Sequence, residues 1–272
     1  MKNWTENKEE RKARKGREKA LTELAQLDQE MRLLDVAPLS PKNYVVCLKW
    51  GTKYSAEYVN KLYNMVQRNL TVDYEFVCFT ENAEGIDKHI TIKPLPQLPV
   101  TGWWFKPWFF SNELPIQGTL LYLDLDLIVF KNIDKFFQYE PNKDFLIIRD
   151  FNRHVRGTWD RVNSSVFRLK IGSKLSEYHD FVQHRTNYVK RFQGDQDWMY
   201  RHCKPYDYWP DEWAQSYKWE MRGREHLTVV NGVRNFKEAG VPVIKSNTSI
   251  AVFHGKPDIH DAVDSWPREN WK

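Results

Sequence analysis

Short apolar runs alternate with amphipathic segments from residue 43 to about residue 258. Periodicity and length predict buried strands for the runs NYVVCLKW, YEFVCFT, HITIKPL, GTLLYLDLDLIVF, DFLIIRDF, NSSVFRL and TSIAVFHGKP. Apolar residues at helical spacing predict helices over SAEYVNKLYNMVQRNL, SKLSEYHDFVQHRTNYVKRF and GDQDWMYRHC. The segment WWFKPWFFSNEL is expected to be helical or turn-like, with Pro107 starting a helix. Strands that alternate with helices predict an α/β domain with a mostly parallel central sheet.

The first 40 residues differ from the rest, because they are highly charged and mostly helix-forming. Leu and Met residues recur there at steps of three and four between Leu21 and Leu34, which predicts one apolar stripe on a helix. We interpret residues 1–40 as a helical extension that packs on the main domain or on a partner, and residues 41–272 as the main domain. A basic arm for a polyanion is the alternative, but six acidic residues between Glu6 and Asp28 dilute its charge.

Composition indicates a globular protein, because 41% of the 272 residues are hydrophobic, 28% are charged and the net charge is +5. We expect no transmembrane segment, since no uninterrupted apolar stretch reaches about 18 residues, and no signal peptide, since the N-terminus lacks an apolar core. Cys47, Cys78 and Cys203 are too few and too widely spaced for a disulfide framework. They predict buried thiols in a reducing cytoplasm.

Two aspartates, Asp124 and Asp126, interrupt the apolar run GTLLYLDLDLIVF. Residues two apart on a strand share a face, so both carboxylates can converge where the strand leaves the sheet. Burying two like charges is costly unless a cation pairs with them, and carboxylate oxygens suit Mg²⁺ or Mn²⁺. The pair therefore predicts a divalent-cation site that is open to the oxygens of a diphosphate. A solvent-facing strand end or a turn cap is the alternative for an isolated Asp-X-Asp.

Two further motifs carry candidate chemistry. FHGKPDIH offers a third metal ligand in His254, a backbone that a phosphate can approach at Gly255, and a positive charge in Lys256. GDQDW places Asp195 and Gln196 at a helix start, where they could contact sugar hydroxyls or a reacting carbon. Singly, these motifs also fit a loop His with a surface Lys, and an N-cap with an acidic first turn. Together they describe one metal–diphosphate site.

These motifs together resemble those of GT-A glycosyltransferases, and they are similar to glycosyltransferase family 8 and its bacterial and phage relatives. The matching pieces follow the family's order and cover residues 44 to about 258: VVCLKWGTKYSAEYV, WWFKPWFFS, LYLDLDLIVF, IIRDF, NSSVF, GDQDW and FHGKP. The resemblance implies a Rossmann-like GT-A fold, in which helices flank a mostly parallel sheet. It also implies metal-dependent transfer of a sugar from a nucleotide-sugar donor, a UDP-sugar, with retention, to a glycan or other hydroxyl acceptor.

The resemblance assigns the metal–diphosphate site to particular residues. Mn²⁺, or Mg²⁺ in its place, would be held by Asp124, Asp126 and His254. Lys256 and the backbone of Gly255 would contact the diphosphate. The first aspartate of the pair would thus serve both the cation and the donor.

The same resemblance assigns the rest of the donor site. Lys106, before the Asp-X-Asp strand, would contact the donor. Asp150 and Asn163 would hydrogen-bond the donor sugar. Asp195 and Gln196 would lie beside the anomeric carbon, so that with Asp150 they form the expected catalytic set. The base and ribose would bind at the end of the first strand, with Tyr54 as a stacking residue beside Leu48, Lys49, Trp50 and Gly51.

The acceptor is open from sequence. Six aromatic residues between Tyr206 and Trp219 form either core packing or a stacking platform for an acceptor. Five arginines on nearby segments would let the same surface accept a polyanion, which gives a hydroxymethylated base in phage DNA as an alternative acceptor: Arg153, Arg156, Arg161, Arg222 and Arg224. A non-catalytic protein that binds nucleotide sugars or carbohydrates is a second alternative, although it would not need Asp124, Asp126, His254 and Lys256 together.

Overall fold

The computed structural model describes residues 42–222 and 240–272, together with Lys19 and the backbone of residues 227–230 and 233–236. The predicted helical extension over residues 1–40 lies outside these residues except for Lys19, so it stays a prediction. Within the described residues, no helix is both long enough and apolar enough to cross a membrane.

The regular elements follow the predicted alternation of strands and helices. The described strands β1 to β12 are, in chain order, Asn43–Lys49, Glu75–Thr80, Thr91–Lys93, Thr119–Leu123, Leu127–Val129, Phe145–Arg149, Val162–Lys170, Asp207–Tyr208, Ala214–Ser216, Leu227–Val230, Val233–Phe236 and Ile250–Val252. The described α-helices α1 to α5 are Ala56–Asn69, Asp134–Gln138, Leu175–Arg191, Asp195–His202 and Ser265–Asn270. Tighter 3₁₀ turns cover Gly102–Phe110, Phe151–His154, Asp211–Trp213 and Ile259–Asp261, and a π-helical turn covers Tyr217–Met221.

A seven-stranded sheet with the order β3-β2-β1-β4-β7-β6-β8 forms the centre of the domain. β1 is parallel to β2 and β4, β2 is parallel to β3, and β6 is parallel to β8. β7 is antiparallel to both of its neighbours, β4 and β6. The predicted α/β class with a mostly parallel sheet is therefore confirmed. The reversed direction of β7 could not be read from NSSVFRL, because periodicity carries no information on strand direction.

Both faces of this sheet are covered, as expected for strands that are apolar on both sides. Along β1, Val45 and Cys47 join one buried cluster with the apolar stripe of α1, while Val46 and Leu48 join a second cluster on the opposite face. The three cysteines are free thiols buried in this core, as predicted. The core therefore holds the end of β1 rigidly where it meets the candidate site.

The long run GTLLYLDLDLIVF forms two strands in different sheets. β4 belongs to the central sheet, whereas β5 pairs antiparallel with β12 in a small sheet of order β5-β12-β9. Asp124 and Asp126 lie in the crossing between β4 and β5, where Asp124 N–H donates to the Ser165 carbonyl and Phe253 N–H donates to the Asp126 carbonyl, both at 2.9 Å. The crossing therefore brings the residue before His254 against the aspartate pair.

The aromatic segment after the proline-rich loop forms the 3₁₀ helix Gly102–Phe110. Pro107 lies inside this helix, so the prediction that Pro107 starts a helix is wrong. The helix starts instead at Gly102, whose φ of +70° suits glycine and where a Cβ would lie 3.3 Å from the Trp50 ring. Burial of its aromatic face aims Lys106 into the domain, beneath the site described next.

Candidate active site

A pocket of about 370 Å³ opens where β1 and β4 end and where α4 begins. Carboxyl ends of strands in open α/β sheets are the usual place for a ligand. Most of the residues predicted for the site line this one pocket: Leu48, Trp50, Tyr54, Lys106, Asp124, Asp126, Asn163, Asp195, Gln196, His254 and Gly255. Asp150 lines an adjoining hollow together with Asn163, Gln196 and His254.

The aspartate pair forms one wall of the pocket, and a tyrosine hydroxyl donates to each carboxylate. Tyr122 OH donates to Asp124 Oδ1 at 2.7 Å, and Tyr54 OH donates to Asp126 Oδ2 at 2.8 Å. Burial, and then the negative charge of Asp124, raises the pKa of Asp126 to about 6. The pair is therefore a partly buried concentration of negative charge that favours a cation.

Lys106 is a buried ammonium group between two of the pocket's carboxylates. Its Nζ lies 2.9 Å from Asp124 Oδ1 and 3.5 Å from Asp195 Oδ2, and it donates to the Ser164 carbonyl at 3.1 Å. Burial lowers the pKa of Lys106, but Asp124 and Asp195 raise it by more, so the side chain stays charged. Lys106 therefore ties the aspartate pair to the start of α4.

Asp195 and Gln196 begin α4 on the opposite wall. Asp195 Oδ2 is buried, and Lys106 Nζ lies 3.5 Å from it, which is long for a hydrogen bond. Burial raises the pKa of Asp195, while the charge of Lys106 opposes that rise. Gln196 Nε2 donates to Asp150 Oδ2 at 3.3 Å, and Trp159 Nε1 donates to the same oxygen at 3.0 Å. Asp150 therefore positions the side chains of Gln196 and Trp159. Asp195 offers an oxygen that can accept a hydrogen bond from a ligand hydroxyl.

Besides Asp150, three of the predicted residues do not line the pocket. Lys49 donates to the Asn82 carbonyl at 3.2 Å, because its side chain points toward the segment after β2. Gly51 lies in a turn with φ of +56°, and its N–H donates to Glu81 Oε1. Lys256 is exposed and pairs with Asp261 Oδ2 at 3.0 Å and with Asp258, its own loop neighbour. An exposed ammonium group pairs with the nearest carboxylates, and this loop supplies two of them.

His254 lines the pocket, but its side chain is not placed to bind a metal ion together with Asp124 and Asp126. Its Nε2 lies 2.7 Å from Ser216 Oγ, and its ring stacks on Phe151 with centroids 5.1 Å apart. Among the described residues, no three His, Cys, Asp or Glu side chains are placed to hold a metal together. The donor set still fits a divalent cation in part, because two carboxylates two residues apart face one pocket and carry more negative charge than Lys106 offsets.

Sequence reasoning missed several residues of the site. Tyr122 could have been found, because it is two residues before Asp124 and so shares its face of β4. Lys218 had no such signal, since it comes from the π-helical turn Tyr217–Met221 and lines the adjoining hollow through packing. Its Nζ donates to the Lys256 carbonyl at 3.1 Å and to the His254 carbonyl, beneath the turn at Gly255. The buried ammonium of this loop is thus Lys218.

The aromatic residues between Tyr206 and Trp219 do not form one acceptor surface. Trp209 and Tyr217 are buried in the core, where Trp209 packs on Phe136 and Tyr217 stacks on Phe253. Trp219 lines the hollow beside the pocket. Core packing therefore accounts for the middle of this segment.

Solved structures share this arrangement of strands and helices. An active-site mutant of LgtC matches with a TM-score of 0.57 at 12% identity, over 84% of this chain and 93% of that chain. The galactosyltransferase LgtC in complex with donor and acceptor sugar analogs matches with a TM-score of 0.52 at 11% identity, over 79% of this chain and 88% of that chain. The chain has the fold of GT-A glycosyltransferases.

The likeness goes no further than the fold. GlyE of Streptococcus pneumoniae, a glycosyltransferase, matches 64% of this chain and 46% of that chain with a TM-score of 0.48 at 13% identity, which is too weak to support the assignment. No protein-family model and no curated protein matches the chain. Membership of family 8 therefore stays a prediction.

Proposed function

We propose that the protein is a metal-dependent glycosyltransferase that moves a sugar from a nucleotide-sugar donor, a UDP-sugar, to a hydroxyl of a glycan. The observation that carries the proposal is the set of three carboxylates, from Asp124, Asp126 and Asp195, in one pocket of a glycosyltransferase fold. A non-catalytic binding protein would have no reason to keep a buried carboxylate, Asp195, and two partly buried ones, Asp124 and Asp126, in one pocket, because removing carboxylates from water costs free energy.

The donor would lie along the pocket from the end of β1 to the start of α4. Trp50 and Tyr54 offer aromatic faces for the base at the β1 end. Asp124 and Asp126 would hold Mn²⁺ or Mg²⁺ on the diphosphate, and His254 would join them after release from Ser216. When bound, this cation would neutralise the charge that develops on the departing nucleoside diphosphate.

The remaining residues would hold the sugar for reaction. Asp195 Oδ2 would accept a hydrogen bond from a sugar hydroxyl, in addition to its long ion pair with Lys106. Gln196 would lie beside the anomeric carbon, and Asp150 would hold its amide in place. Asn163 would hydrogen-bond the sugar from β7. Retention at the anomeric carbon is proposed on the resemblance to family 8.

The test is turnover of a donor panel. The purified protein is incubated with UDP- and GDP-sugars, with Mn²⁺ or with EDTA, and the release of nucleoside diphosphate is measured with and without neutral glycans. We expect Mn²⁺-dependent release from one donor, and the anomeric configuration of the product, read by NMR, reports retention. A protein that releases no nucleoside diphosphate from any donor, although it binds one, would refute the transferase and leave the binding protein.

A further inference from the structure

A second depression lies outside the pocket and has a different character. It is formed by three tyrosines, Tyr200 from α4, Tyr206 and Tyr208, and has a volume of about 510 Å³. We call these three residues the tyrosine dish. β8, which contains Tyr208, is the edge strand of the central sheet, so the dish lies at the rim of a rigid element. Nothing in the proposed donor site uses these residues.

The dish presents aromatic rings that are held in place and partly exposed. The ring centroids of Tyr206 and Tyr208 lie 5.5 Å apart at an interplanar angle of 65°, and Tyr206 also meets Phe145 edge-on. Tyr200, Tyr206 and Tyr208 are each half-buried. Lys204 Nζ lies 5.2 Å from the centroid of the Tyr200 ring. Fixed rings that stay partly exposed can pack against the C–H face of a sugar, which is apolar, at little cost in side-chain entropy.

Polar groups at the rim of the dish can bond sugar hydroxyls. Asp160 is exposed over 70% of its side chain, and Lys204 is exposed beside it. A carboxylate accepts hydrogen bonds and an ammonium group donates them, so the rim can match hydroxyls of both kinds. Aromatic faces with a few polar groups at the edge are the composition expected of a carbohydrate subsite.

The charges around the dish favour a neutral ligand over a polyanion. Arg149 pairs with Asp160 and with Asp211, the latter at 3.3 Å, and its guanidinium carbon lies 3.9 Å from the Tyr208 ring centroid. Arg161 pairs with Asp197 at 2.9 Å. Arg161 is one of the five arginines that suggested a DNA acceptor, and two more of the five are paired: Arg153 lies 3.5 Å from Asp211, and Arg222 is buried 2.9 Å from Asp264. Arg224 lies outside the described residues.

One side chain connects the dish to the pocket. The guanidinium of Arg161 lies 4.0 Å from the ring centroid of Trp159, which lines the pocket, and 5.5 Å from that of Tyr200, which lines the dish. Its partner Asp197 also lines the pocket. An aromatic and polar surface therefore runs from one depression to the other.

We propose that the tyrosine dish is a subsite for a neutral sugar residue of an extended glycan acceptor, whose reacting end lies in the pocket. Its role as an acceptor subsite rests on the proposed function, whereas binding of a neutral oligosaccharide there does not. The proposed acceptor class is thereby narrowed from any compound with a hydroxyl to a glycan of several sugar residues.

Binding can be measured on the intact protein without donor or metal. Neutral oligosaccharides of increasing length are screened by saturation-transfer NMR, and the dissociation constant of the best binder is determined for three proteins: wild type, Tyr200→Leu and Tyr200→Phe. Leucine removes the ring but keeps apolar bulk, while phenylalanine keeps the ring. We expect Tyr200→Leu to bind at least about 5-fold more weakly and Tyr200→Phe to bind within about 2-fold of wild type. Thermal unfolding verifies that both variants fold.

The outcomes separate this inference from the proposed function. Equal binding by Tyr200→Leu and wild type, or no binding of any neutral oligosaccharide by wild type, overturns the subsite. Steeply salt-dependent binding of single-stranded DNA that Tyr200→Leu weakens also overturns it, in favour of a polyanion. If wild type binds oligosaccharides through Tyr200 but releases no nucleoside diphosphate from any donor, the subsite stands and the transferase fails.

Discussion

Two lysines predicted to contact the donor have very different surroundings: Lys106 lines the pocket, whereas Lys256 lies in the exposed loop that follows Gly255. The side chain of Lys106 is 5% exposed and lies between Asp124 and Asp195, with the Ser164 carbonyl as a third partner. The side chain of Lys256 is 53% exposed and pairs with two aspartates of its own loop. Both lysines were predicted to contact the donor. Lys106 is held by ion pairs inside the protein, whereas Lys256 is held by ion pairs that are exposed to solvent.

This difference in burial determines which of the two lysines can exchange its carboxylate partners for a phosphate. A buried ammonium group between buried carboxylates has one low-energy arrangement, because leaving it would strand unpaired charges at a cost of several kcal/mol. An exposed ion pair is worth about 0–1 kcal/mol, so Lys256 can leave Asp258 and Asp261 for a phosphate. Lys106 is therefore a fixed part of the wall, and Lys256 is the lysine that a donor can recruit.

The largest effect on activity is expected at Asp126, the second carboxylate of the aspartate pair beside Lys106. Asp126→Asn keeps the shape of the side chain but removes one of the two charges proposed to hold the cation. We expect Mn²⁺-dependent release of nucleoside diphosphate to fall by about 100-fold or more. The rate is measured with the donor found in the panel. Asp144→Asn, a change at an exposed aspartate before β6, is the matched control and is expected to keep the rate.

The second prediction compares how much each of the two lysines contributes to the free energy of unfolding. Lys106→Met leaves Asp124 and Asp195 without their ammonium partner, so we expect the free energy of unfolding to fall by about 3 kcal/mol. Urea unfolding in metal-free buffer measures the loss. Lys256→Met is the control, and its loss is expected to stay below about 1 kcal/mol. Equal losses in the two variants would contradict the comparison.

The contrast between the lysines also marks how far sequence reasoning extends. The strands, the main helices and the position of the aspartate pair follow from apolar periodicity, because burial forces one arrangement on apolar runs. Lys106 falls in the same class, since the buried aromatic residues of its 3₁₀ helix fix where it points. The predicted contact of Lys106 with the donor stays a prediction.

The rest depends on packing between segments that are distant in sequence. Lys218 reaches the adjoining hollow from a π-helical turn, and the hydroxyl of Ser216 contacts Nε2 of His254. No motif encodes either contact. The break between β4 and β5 was likewise hidden, because Asp124 and Asp126 interrupt the apolar run without showing whether the chain stays in one sheet or crosses to another. Predicted base contacts such as Lys49 failed to reach the pocket for a related reason: side chains on a strand alternate between faces.

A smaller effect is expected from the hydroxyl that orients Asp124. Tyr122→Phe removes the hydrogen bond to Asp124 Oδ1 but keeps the buried ring. Partners of metal ligands set their orientation, so we expect the Mn²⁺ concentration for half-maximal activity to rise about 10-fold. Tyr178→Phe is the control, because its buried hydroxyl faces Glu113, away from the pocket. An unchanged Mn²⁺ requirement in Tyr122→Phe would show that Lys106 alone orients the carboxylate.

The smallest effect is expected at Lys256. Recruitment by the donor gains a charge-assisted hydrogen bond to phosphate but loses the pairs with Asp258 and Asp261, so the two terms largely offset. We expect Lys256→Met to raise the KM for the donor about 5-fold while kcat stays within about 2-fold. Steady-state kinetics at saturating Mn²⁺ separates the two constants. A fall in kcat without a change in KM would mean that Lys256 acts on the departing diphosphate. Unchanged values of both would show that the donor does not recruit Lys256.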